Sequence, residues 1–257
     1  MQLYSKLKQY YKYQRNWSKL QSRQDSSNEK KHFASEKKFY SQFINNGDLC
    51  FDIGANIGDK AELFIQLGAM VVAVEPQESC WRVLKKRFKS ERVSVEPVAL
   101  DSSKGIKTIF IDRSHTLATI SQDWIDIVKQ SGRFSGHNWT DKSVVQTTTL
   151  DDLINKYGKP VFCKIDVEGA EFEVLQGLSQ TINVISIEFV SERLDASMNC
   201  IDYLSELGKA EFNYCLGGSM VFASPDWVDS GQIKTSLNAM DCDIQNYGDL
   251  YIRFQNK

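Results

Sequence analysis

The chain has 257 residues, of which 42% are hydrophobic and 25% charged, and its formal net charge is −2 at pH 7. This size predicts one globular domain with an appendage, and the near-neutral charge gives no general reason to expect a nucleic-acid partner. No apolar run approaches the ~20 residues that span a bilayer, and the first residues lack the apolar core of a signal peptide. Six scattered cysteines without a C-x-x-C pair favour buried reduced thiols over disulfides or a zinc site, so a cytoplasmic location is the simplest expectation.

A basic arm rich in aromatic residues opens the chain. Residues 1–28 hold lysines and arginines with tyrosines and Trp17 between them, and their polar end, Gln21–Asn28, is typical of a linker. Such an arm can contact a membrane surface peripherally, an acidic substrate or a partner subunit. The alternative is a solvated arm that packs on the domain through its aromatic side chains. Residues 29–257 are predicted to form the main domain, which begins with a helix over Glu29–Ile44.

A strand–loop–helix–strand pattern comes next. The apolar run Leu49–Phe51 leads into the loop Asp52–Gly58, and the segment Lys60–Leu67 has helical spacing. A second apolar run, Met70–Val74, ends on Glu75-Pro76. This is the unit with which an α/β sheet holds a nucleoside-bearing cofactor.

The spacing of this loop indicates which cofactor it binds. A dinucleotide-binding loop carries Gly-x-Gly-x-x-Gly, whereas here Asn56 stands where no bulky polar side chain is expected. The pattern acid-x-Gly-x-x-x-Gly is that of loops that bind S-adenosylmethionine. In such a loop, Asp52 faces the ammonium group of the cofactor and the loop amides meet its carboxylate. Gly54 and Gly58 let the backbone turn tightly against the ligand, and Glu75 accepts hydrogen bonds from both ribose hydroxyls. The alternative is an ordinary turn whose glycines serve packing alone.

The middle of the chain holds a long insertion at residues 113–142. Before it lie a helix that begins at Ser79 and strand patterns over Arg92–Leu100 and Lys107–Ile111. Within it, the clear element is a short helix started by Ser121. Insertions of this size are usually disordered or functional lids, and we predict a lid-like segment.

Strands and helices alternate through the second half. Strand patterns at Ser143–Thr148, Pro160–Asp166 and Ile182–Val190 are separated by helical ones, and two late strands, Phe212–Leu216 and Leu250–Phe254, are predicted to pair. The alternation predicts an α/β fold with a mostly parallel sheet and helices on both faces. The late pair, which lacks a long helical crossover, predicts an antiparallel edge.

A second polar constellation follows the strand that ends at Asp166. Asp166 and Glu168 leave the carboxyl end of this strand on the same side, where open α/β sheets form their ligand crevice. Lys164 is predicted to pair with a neighbouring carboxylate. Glu188 ends the apolar run Val184–Ile187 on the next strand and is predicted to project towards the same cleft. Glu171 lies in the first turn of the following helix, where the helix dipole already favours an anion.

Four segments of the chain match one family pattern: Asp52–Gly58, Val74–Pro76, Thr149–Leu153 and Lys164–Glu171. Together they resemble the FkbM family, S-adenosylmethionine-dependent methyltransferases with the Rossmann-like class I fold. The resemblance implies cofactor contacts at Asp52, Gly54, Asn56, Gly58 and Glu75, and a reaction cleft at Asp166 and Glu168. Such relatives typically methylate hydroxyl groups on sugars or other small metabolites, which implies a small-molecule or glycan acceptor.

A base near the acceptor is expected to help, because an alcohol is a weak nucleophile. We predict that Asp166 or Glu168 takes or orients the hydroxyl proton, with His115 of the insertion as the second candidate. Three further residues of the insertion are candidates for holding the acceptor: Arg133, His137 and Trp139.

No resident metal is predicted, since the acidic residues have no His or Asn partner fixed by spacing. The alternative is a divalent metal with hard oxygen ligands from Asp166, Glu168 and Glu188.

Two other function classes use the same fold. One is an NAD-dependent oxidoreductase, which the missing third glycine and Asn56 disfavour. The other is a non-catalytic, methyltransferase-like binding module, which the retained acidic residues disfavour. A nucleic-acid methyltransferase is set aside, because the loop after the fourth strand reads Asp166-Val-Glu-Gly and its two carboxylates repel phosphate.

Overall fold

The computed structural model describes residues 11–18, 27–240, 243 and 246–255. The helices of this part are α1 (residues 11–18), α2 (Ser27–Tyr40), α3 (Asp59–Gln66), α4 (Glu78–Arg87), α5 (Gln122–Ser131), α6 (Leu150–Tyr157), α7 (Glu171–Gln176), α8 (Leu194–Leu207) and α9 (Ser230–Asn238), with a short 3₁₀ helix η1 at Ser191–Arg193. The strands are β1 (Leu49–Ile53), β2 (Met70–Val74), β3 (Val93–Glu96), β4 (Ala99–Leu100), β5 (Gly105–Ile111), β6 (Asp141–Thr148), β7 (Phe162–Ile165), β8 (Val184–Val190), β9 (Ala210–Leu216) and β10 (Tyr247–Phe254).

The main sheet has seven strands in the order β3-β2-β1-β7-β8-β10-β9. Five neighbouring strands of this sheet pair in parallel: β3, β2, β1, β7 and β8. Strand β10 pairs antiparallel with both β8 and β9. This arrangement confirms the predicted α/β class, the mostly parallel sheet and the antiparallel edge made by the two late strands.

Helices cover both faces of this sheet. Successive side chains of a strand point to opposite sides, and the buried strands place apolar side chains on both. Phe51 and Ile53 of β1 join a core with side chains of α6, α7, α8 and α9. Cys50 and Phe162 face the other side and join a second core with α2 and α3. The prediction of helices on both faces is therefore confirmed.

A second, smaller sheet was not predicted. The pattern Arg92–Leu100 contains two strands, β3 in the main sheet and β4 in a three-stranded sheet of order β4-β6-β5. The predicted strands Lys107–Ile111 and Ser143–Thr148 both exist, but they pair with each other antiparallel in this smaller sheet. Helix α9 was not predicted either.

The insertion, residues 113–142, builds a hydrophobic cluster of its own. Its buried members are Leu117, Trp124, Ile125, Val128 and Trp139. Helix α5 supplies three of these side chains and starts where Ser121 Oγ accepts a hydrogen bond from the Trp124 amide. The predicted helix is therefore confirmed, whereas the lid-like role stays a prediction.

Of the N-terminal arm, the structure describes α1 and the last two residues, 27–28, so the greater part of the predicted linker lies outside the described residues. Helix α2 already begins at Ser27, slightly before the predicted start of the main domain. Five cysteines are buried and free, as expected: Cys50, Cys80, Cys163, Cys200 and Cys215. Cys242 lies outside the described residues. Among the described helices, none combines the length and apolar character that a bilayer crossing requires.

We expect Phe162→Ala to destabilise the fold strongly. The Phe162 ring is fully buried, with its centroid 5.5 Å from those of Tyr40 and Phe64. Its removal leaves a cavity and costs about 3–5 kcal/mol of unfolding free energy. Urea denaturation measures the loss, and Val144→Ala at an exposed site of β6 is the control, with an expected change within about 0.5 kcal/mol. Equal stabilities of the two variants would contradict the packing described here.

Candidate functional site

A cavity of about 360 Å³ opens at the carboxyl ends of β1, β2 and β7. Seven of the eight predicted site residues line it: Asp52, Gly54, Asn56, Glu75, His115, Asp166 and Glu168. The eighth, Gly58, is not among the lining residues. The sheet thus brings two sequence motifs that lie more than a hundred residues apart into one space, as ligand crevices of open α/β sheets do.

The loop after β1 is fixed to the end of β2. The amides of Gly54 and Ala55 both donate to the Val74 carbonyl, at 3.0 and 2.9 Å. Gly54, Asn56 and Gly58 have φ values of 82°, 51° and 91°, so the chain passes three times through left-handed conformations. Asn is one of the few side chains that tolerates this region, which accounts for its place in the loop.

The two loop glycines pack against protein atoms. A Cβ at Gly54 would lie 1.7 Å from the carbonyl oxygen of Asp166. One at Gly58 would lie 2.7 Å from the Leu84 side chain of α4 and 2.6 Å from the ring of Phe88, which directly follows α4. Gly58 has the predicted positive φ, 91°, and it allows close packing of the helix. It is not among the residues that line the cavity, and its contact with the cofactor stays a prediction. Gly54 both lines the cavity and lets the second motif approach.

Glu75 is buried at the end of β2 and points into the loop. Its Oε2 accepts from the Asn56 amide at 2.9 Å, and its Oε1 accepts from the Gln77 amide at 2.7 Å. Burial raises the pKa of Glu75 to about 7, although these two hydrogen bonds act in the opposite direction. A carboxylate has about four acceptor positions, so both oxygens keep capacity for hydroxyl donors.

Asp52 is also buried, at 2% exposure, and its Oδ2 has no hydrogen-bond partner within the described part of the chain. Burial raises the pKa of Asp52 to about 7, and the nearby Lys164 ammonium partly offsets this. Gln77 Oε1 is a second buried acceptor in the cavity wall without a described partner. Buried acceptors of this kind are costly unless a ligand or water supplies a donor, so the wall fits a ligand with N–H or O–H groups.

His115 lies over the loop that follows β1. Its carbonyl accepts from Asn56 Nδ2 at 3.1 Å and from Gln77 Nε2 at 2.8 Å. Its Nδ1 contacts Asn56 Oδ1 at 2.5 Å. The start of the insertion is thereby tied to the cofactor loop, and His115 belongs to that side of the cavity.

Three carboxylates meet on the opposite side. Single oxygens of Asp166, Glu168 and Glu188 all lie within 4.8 Å of one another. Loss of hydration, together with the charge of Asp166, raises the pKa values of Glu168 and Glu188 well above their ordinary range. Carboxyl groups with raised pKa values are suited to proton transfer near neutral pH, and three oxygens at this spacing also match a hard-cation site.

Lys164 compensates part of this negative charge. Its ammonium lies 3.2 Å from Asp166 Oδ2 and 2.9 Å from Asp249 Oδ1, which confirms the predicted pairing. Burial alone would lower the pKa of Lys164, but Asp166, Asp249 and Glu188 raise it well above its usual value. Lys164 thus stays charged and holds Asp166 at the cavity wall.

The turn after β7 is left-handed at two successive positions. Glu168 has a φ of 57° and Gly169 a φ of 91°, and the Trp124 side chain fills the space where a Cβ of Gly169 would be. Glu171 accepts from the amides of Val167 and Gly169, both at 3.1 Å. Glu171 therefore holds the turn that carries Glu168, in keeping with its position in the first turn of α7.

Three residues proposed to hold the acceptor are used elsewhere. Arg133 pairs with Glu192 at 2.6 Å, His137 Nδ1 lies 2.7 Å from an oxygen of Asp112, and Trp139 Nε1 donates to the Leu117 carbonyl. None of the three is among the residues that line the cavity. Trp139 holds the insertion together internally, whereas Arg133 and His137 fasten it to η1 and to the residue after β5.

Sequence reasoning missed Gln77, Thr119 and Asp249. Gln77 follows Glu75 by two positions, which was a readable signal, and Asp249 is an acidic residue directly before the apolar run Leu250–Ile252 of β10. Thr119, whose Oγ1 donates to the Glu168 carbonyl at 2.7 Å, carries no sequence signal because the insertion has no readable pattern.

Comparison with known proteins assigns the chain to a family. The model of the methyltransferase FkbM domain matches residues 52–211, more than half of the chain. The chain belongs to the FkbM methyltransferase family. This confirms the predicted family, its class I methyltransferase fold and S-adenosylmethionine as the cofactor of that fold.

A curated relative carries a more specific name. The chain is 27% identical over 170 residues to the hexuronic acid methyltransferase AglP of Haloferax volcanii, which covers 65% of this chain. The match spans 64% of the relative's length, slightly less than two thirds.

Solved structures show more distant likeness. Precorrin-6y C5,15-methyltransferase of Geobacter metallireducens is 11% identical with a TM-score of 0.45, over 85% of this chain and 87% of its own. A SAM-dependent O-methyltransferase of Thermotoga maritima is 9% identical with a TM-score of 0.40, over 86% of this chain and 66% of its own.

Stability should fall as the pH rises through the range in which Asp52 titrates. Its pKa is raised from 3.8 to about 7 in the folded protein, so the folded state keeps a proton that the unfolded chain releases. The free energy of unfolding therefore decreases between pH ~4 and ~7, by about 1.4 kcal/mol per pH unit at most for one group.

The variant Asp52→Asn should lose this contribution. Its free energy of unfolding, measured by urea denaturation at pH 5, 6, 7 and 8, should therefore depend less on pH than that of the wild type. Asp123→Asn, at an exposed position of α5, is the matched control and should keep the wild-type profile. Identical slopes for wild type and the Asp52 variant would contradict the burial argument.

Proposed function

We propose that the protein is an S-adenosylmethionine-dependent O-methyltransferase that acts on a hydroxyl group of a sugar or another small metabolite. The observation that carries this proposal is one continuous cavity, with the loop and Glu75 on one side and Asp166 and Glu168 on the other. A methyl donor and an acceptor hydroxyl need such a shared space, since methyl transfer requires both in line. The positioning contribution alone reaches about 7–11 kcal/mol in well-oriented systems.

The wall residues fit the cofactor by their unfilled acceptors. The Glu75 carboxylate accepts hydrogen bonds from the ribose hydroxyls. The unpartnered Oδ2 of Asp52 accepts a hydrogen bond from the ammonium group, directly or through water. The amides of Gly54, Ala55 and Asn56 already donate to Val74 and Glu75 within the protein, so the predicted meeting of the loop amides with the cofactor's carboxylate is narrowed to the partial positive charge at the N-terminal end of α3. The cofactor supplies an activated methyl group.

The acceptor side is carried by the carboxylate cluster. Asp166 or Glu168 takes or orients the hydroxyl proton, and Lys164 holds Asp166 in place at 3.2 Å. His115 is the second candidate for the base, on the cofactor side. Thr119 and Trp124 fix the turn that carries Glu168.

The acceptor class rests on the family and on charge. The relative from Haloferax volcanii is a hexuronic acid methyltransferase by name, which supports a sugar acceptor. The carboxylate cluster repels phosphate groups, which disfavours nucleic acid. The cytoplasmic location and the peripheral membrane contact of the arm stay predictions.

Ligand titration tests the cofactor assignment. We expect calorimetry to detect binding of S-adenosylhomocysteine and no binding of NADH. Glu75→Gln should weaken the affinity about 10- to 100-fold, because hydrogen bonds to a charged group are lost. Glu78→Gln is the control, since this side chain pairs with Arg82 on the exposed face of α4 and should leave binding unchanged. Binding of NADH in place of the sulfur nucleoside would overturn the proposal in favour of an oxidoreductase.

Turnover tests the acceptor side, with an acceptor first identified by mass spectrometry of metabolites and glycans with and without the gene. Asp166→Asn or Glu168→Gln should lower kcat by roughly 10²–10⁴-fold while the affinity for S-adenosylhomocysteine stays. Glu206→Gln, at an exposed position of α8, is the control. If both variants kept full turnover, the assignment of the base would fail.

A chelator separates the base from the metal alternative. The three carboxylates within 4.8 Å of one another are the specific observation that favours a divalent ion. We expect turnover to persist in EDTA. Turnover that stops in EDTA and returns with Mg²⁺ would replace the base role of Asp166, Glu168 and Glu188 by metal coordination.

A further inference from the structure

Helix α1 packs where the cofactor loop meets α4. The rings of Tyr13 and Trp17 contact a buried cluster made by Ile57, Cys80 and Val83. Ile57 itself lines the cavity. The arm therefore touches the outer side of the same loop whose inner side faces the cofactor space.

A buried polar contact anchors this helix. Asn16 is 1% exposed, and its Nδ2 donates to Cys80 Sγ at 3.6 Å. The Lys86 ammonium lies 3.9 Å from the centroid of the Trp17 ring, a distance at which cation–π attraction is significant. One face of α1 is thus fixed against α4.

The two basic residues of α1 reach both ends of the insertion. Lys12 Nζ lies 2.7 Å from Asp141 Oδ2, near the end of residues 113–142. Arg15 Nη2 donates to the Arg113 carbonyl at 2.5 Å, at its beginning. These contacts span 129 and 98 residues of sequence, so they join the arm to a distant part of the chain.

The beginning of the insertion is also the part that covers the cofactor loop. Two residues after Arg113, the His115 carbonyl receives the side-chain amides of Asn56 and Gln77. A continuous series of contacts therefore leads from Arg15 through the 113–116 segment to the residues around Glu75. We expect a displacement of Arg113 to displace His115 as well, because only Ser114 separates the two residues.

We propose that Lys12 and Arg15 are positioning residues that hold the insertion over the nucleoside side of the cavity, which makes α1 part of the cofactor site. The proposal deepens the function proposed above and rests on it for the identity of the ligand. Its physical basis is preorganisation: a segment already ordered by α1 does not have to be ordered when the ligand binds. For α1, the described part of the arm, this favours packing on the domain over a membrane contact.

The test compares the double variant Lys12→Gln/Arg15→Gln with wild type. We expect the affinity for S-adenosylhomocysteine in calorimetry to fall roughly 3- to 10-fold, as for two partly exposed charged contacts. In the protein without ligand, we expect faster hydrogen–deuterium exchange of the amides at 113–117. The variant Arg15→Lys keeps a cationic donor for the Arg113 carbonyl. Its affinity for S-adenosylhomocysteine and its exchange at 113–117 should therefore stay close to the wild-type values.

The control is Lys38→Gln, which removes a positive charge from an exposed position of α2 and should change neither measurement. Unchanged affinity and unchanged exchange in the double variant would overturn the positioning role. A wild-type protein that does not bind S-adenosylhomocysteine at all would instead overturn the proposed function. In that case, exchange at 113–117 in the ligand-free protein still decides whether α1 positions the insertion.

Discussion

The whole site depends on the close approach of the Asp166 backbone to Gly54. The Asp166 carbonyl oxygen lies only 1.7 Å from the position that a Cβ of residue 54 would occupy. The approach is fixed by the adjacent parallel strands β1 and β7, since Ile53 pairs with Ile165 and the Asp166 amide donates to the Ile53 carbonyl at 3.0 Å. Any side chain at position 54 would separate the cofactor loop from the carboxylate cluster.

Excess negative charge is the second constraint on this cavity. Its wall includes Asp52, Asp59, Glu75, Asp166, Glu168 and Glu188, whereas its lysines are Lys60 and Lys164. Lys60 pairs with Glu36 outside the wall, and Lys164 is shared between Asp166 and Asp249. Burial in such surroundings raises the pKa values of several of these carboxyl groups. The cavity therefore favours a cationic ligand, and S-adenosylmethionine carries both a sulfonium and an ammonium group.

Local motifs were predicted well because their signals are local. The strand–loop–helix unit, Glu75 at the end of β2, the carboxylates after β7 and Glu188 within β8 all follow from apolar runs that stop at polar residues. Within the insertion, the residues predicted to hold the acceptor do not line the cavity. Arg133, His137 and Trp139 are polar or aromatic residues without a periodic context, and each is satisfied by a partner that only the folded chain provides.

The sequence by itself determined the class of the fold, the family and the two motifs of the site, because these depend on residue spacing along single strands and loops. The tertiary structure alone decided that β5 and β6 leave the main sheet, that Gly58 serves packing against α4, and that α1 touches the insertion. The physical reason is that periodicity tells which face of an element is buried, whereas the partner that buries it is chosen by contacts between residues far apart in the chain.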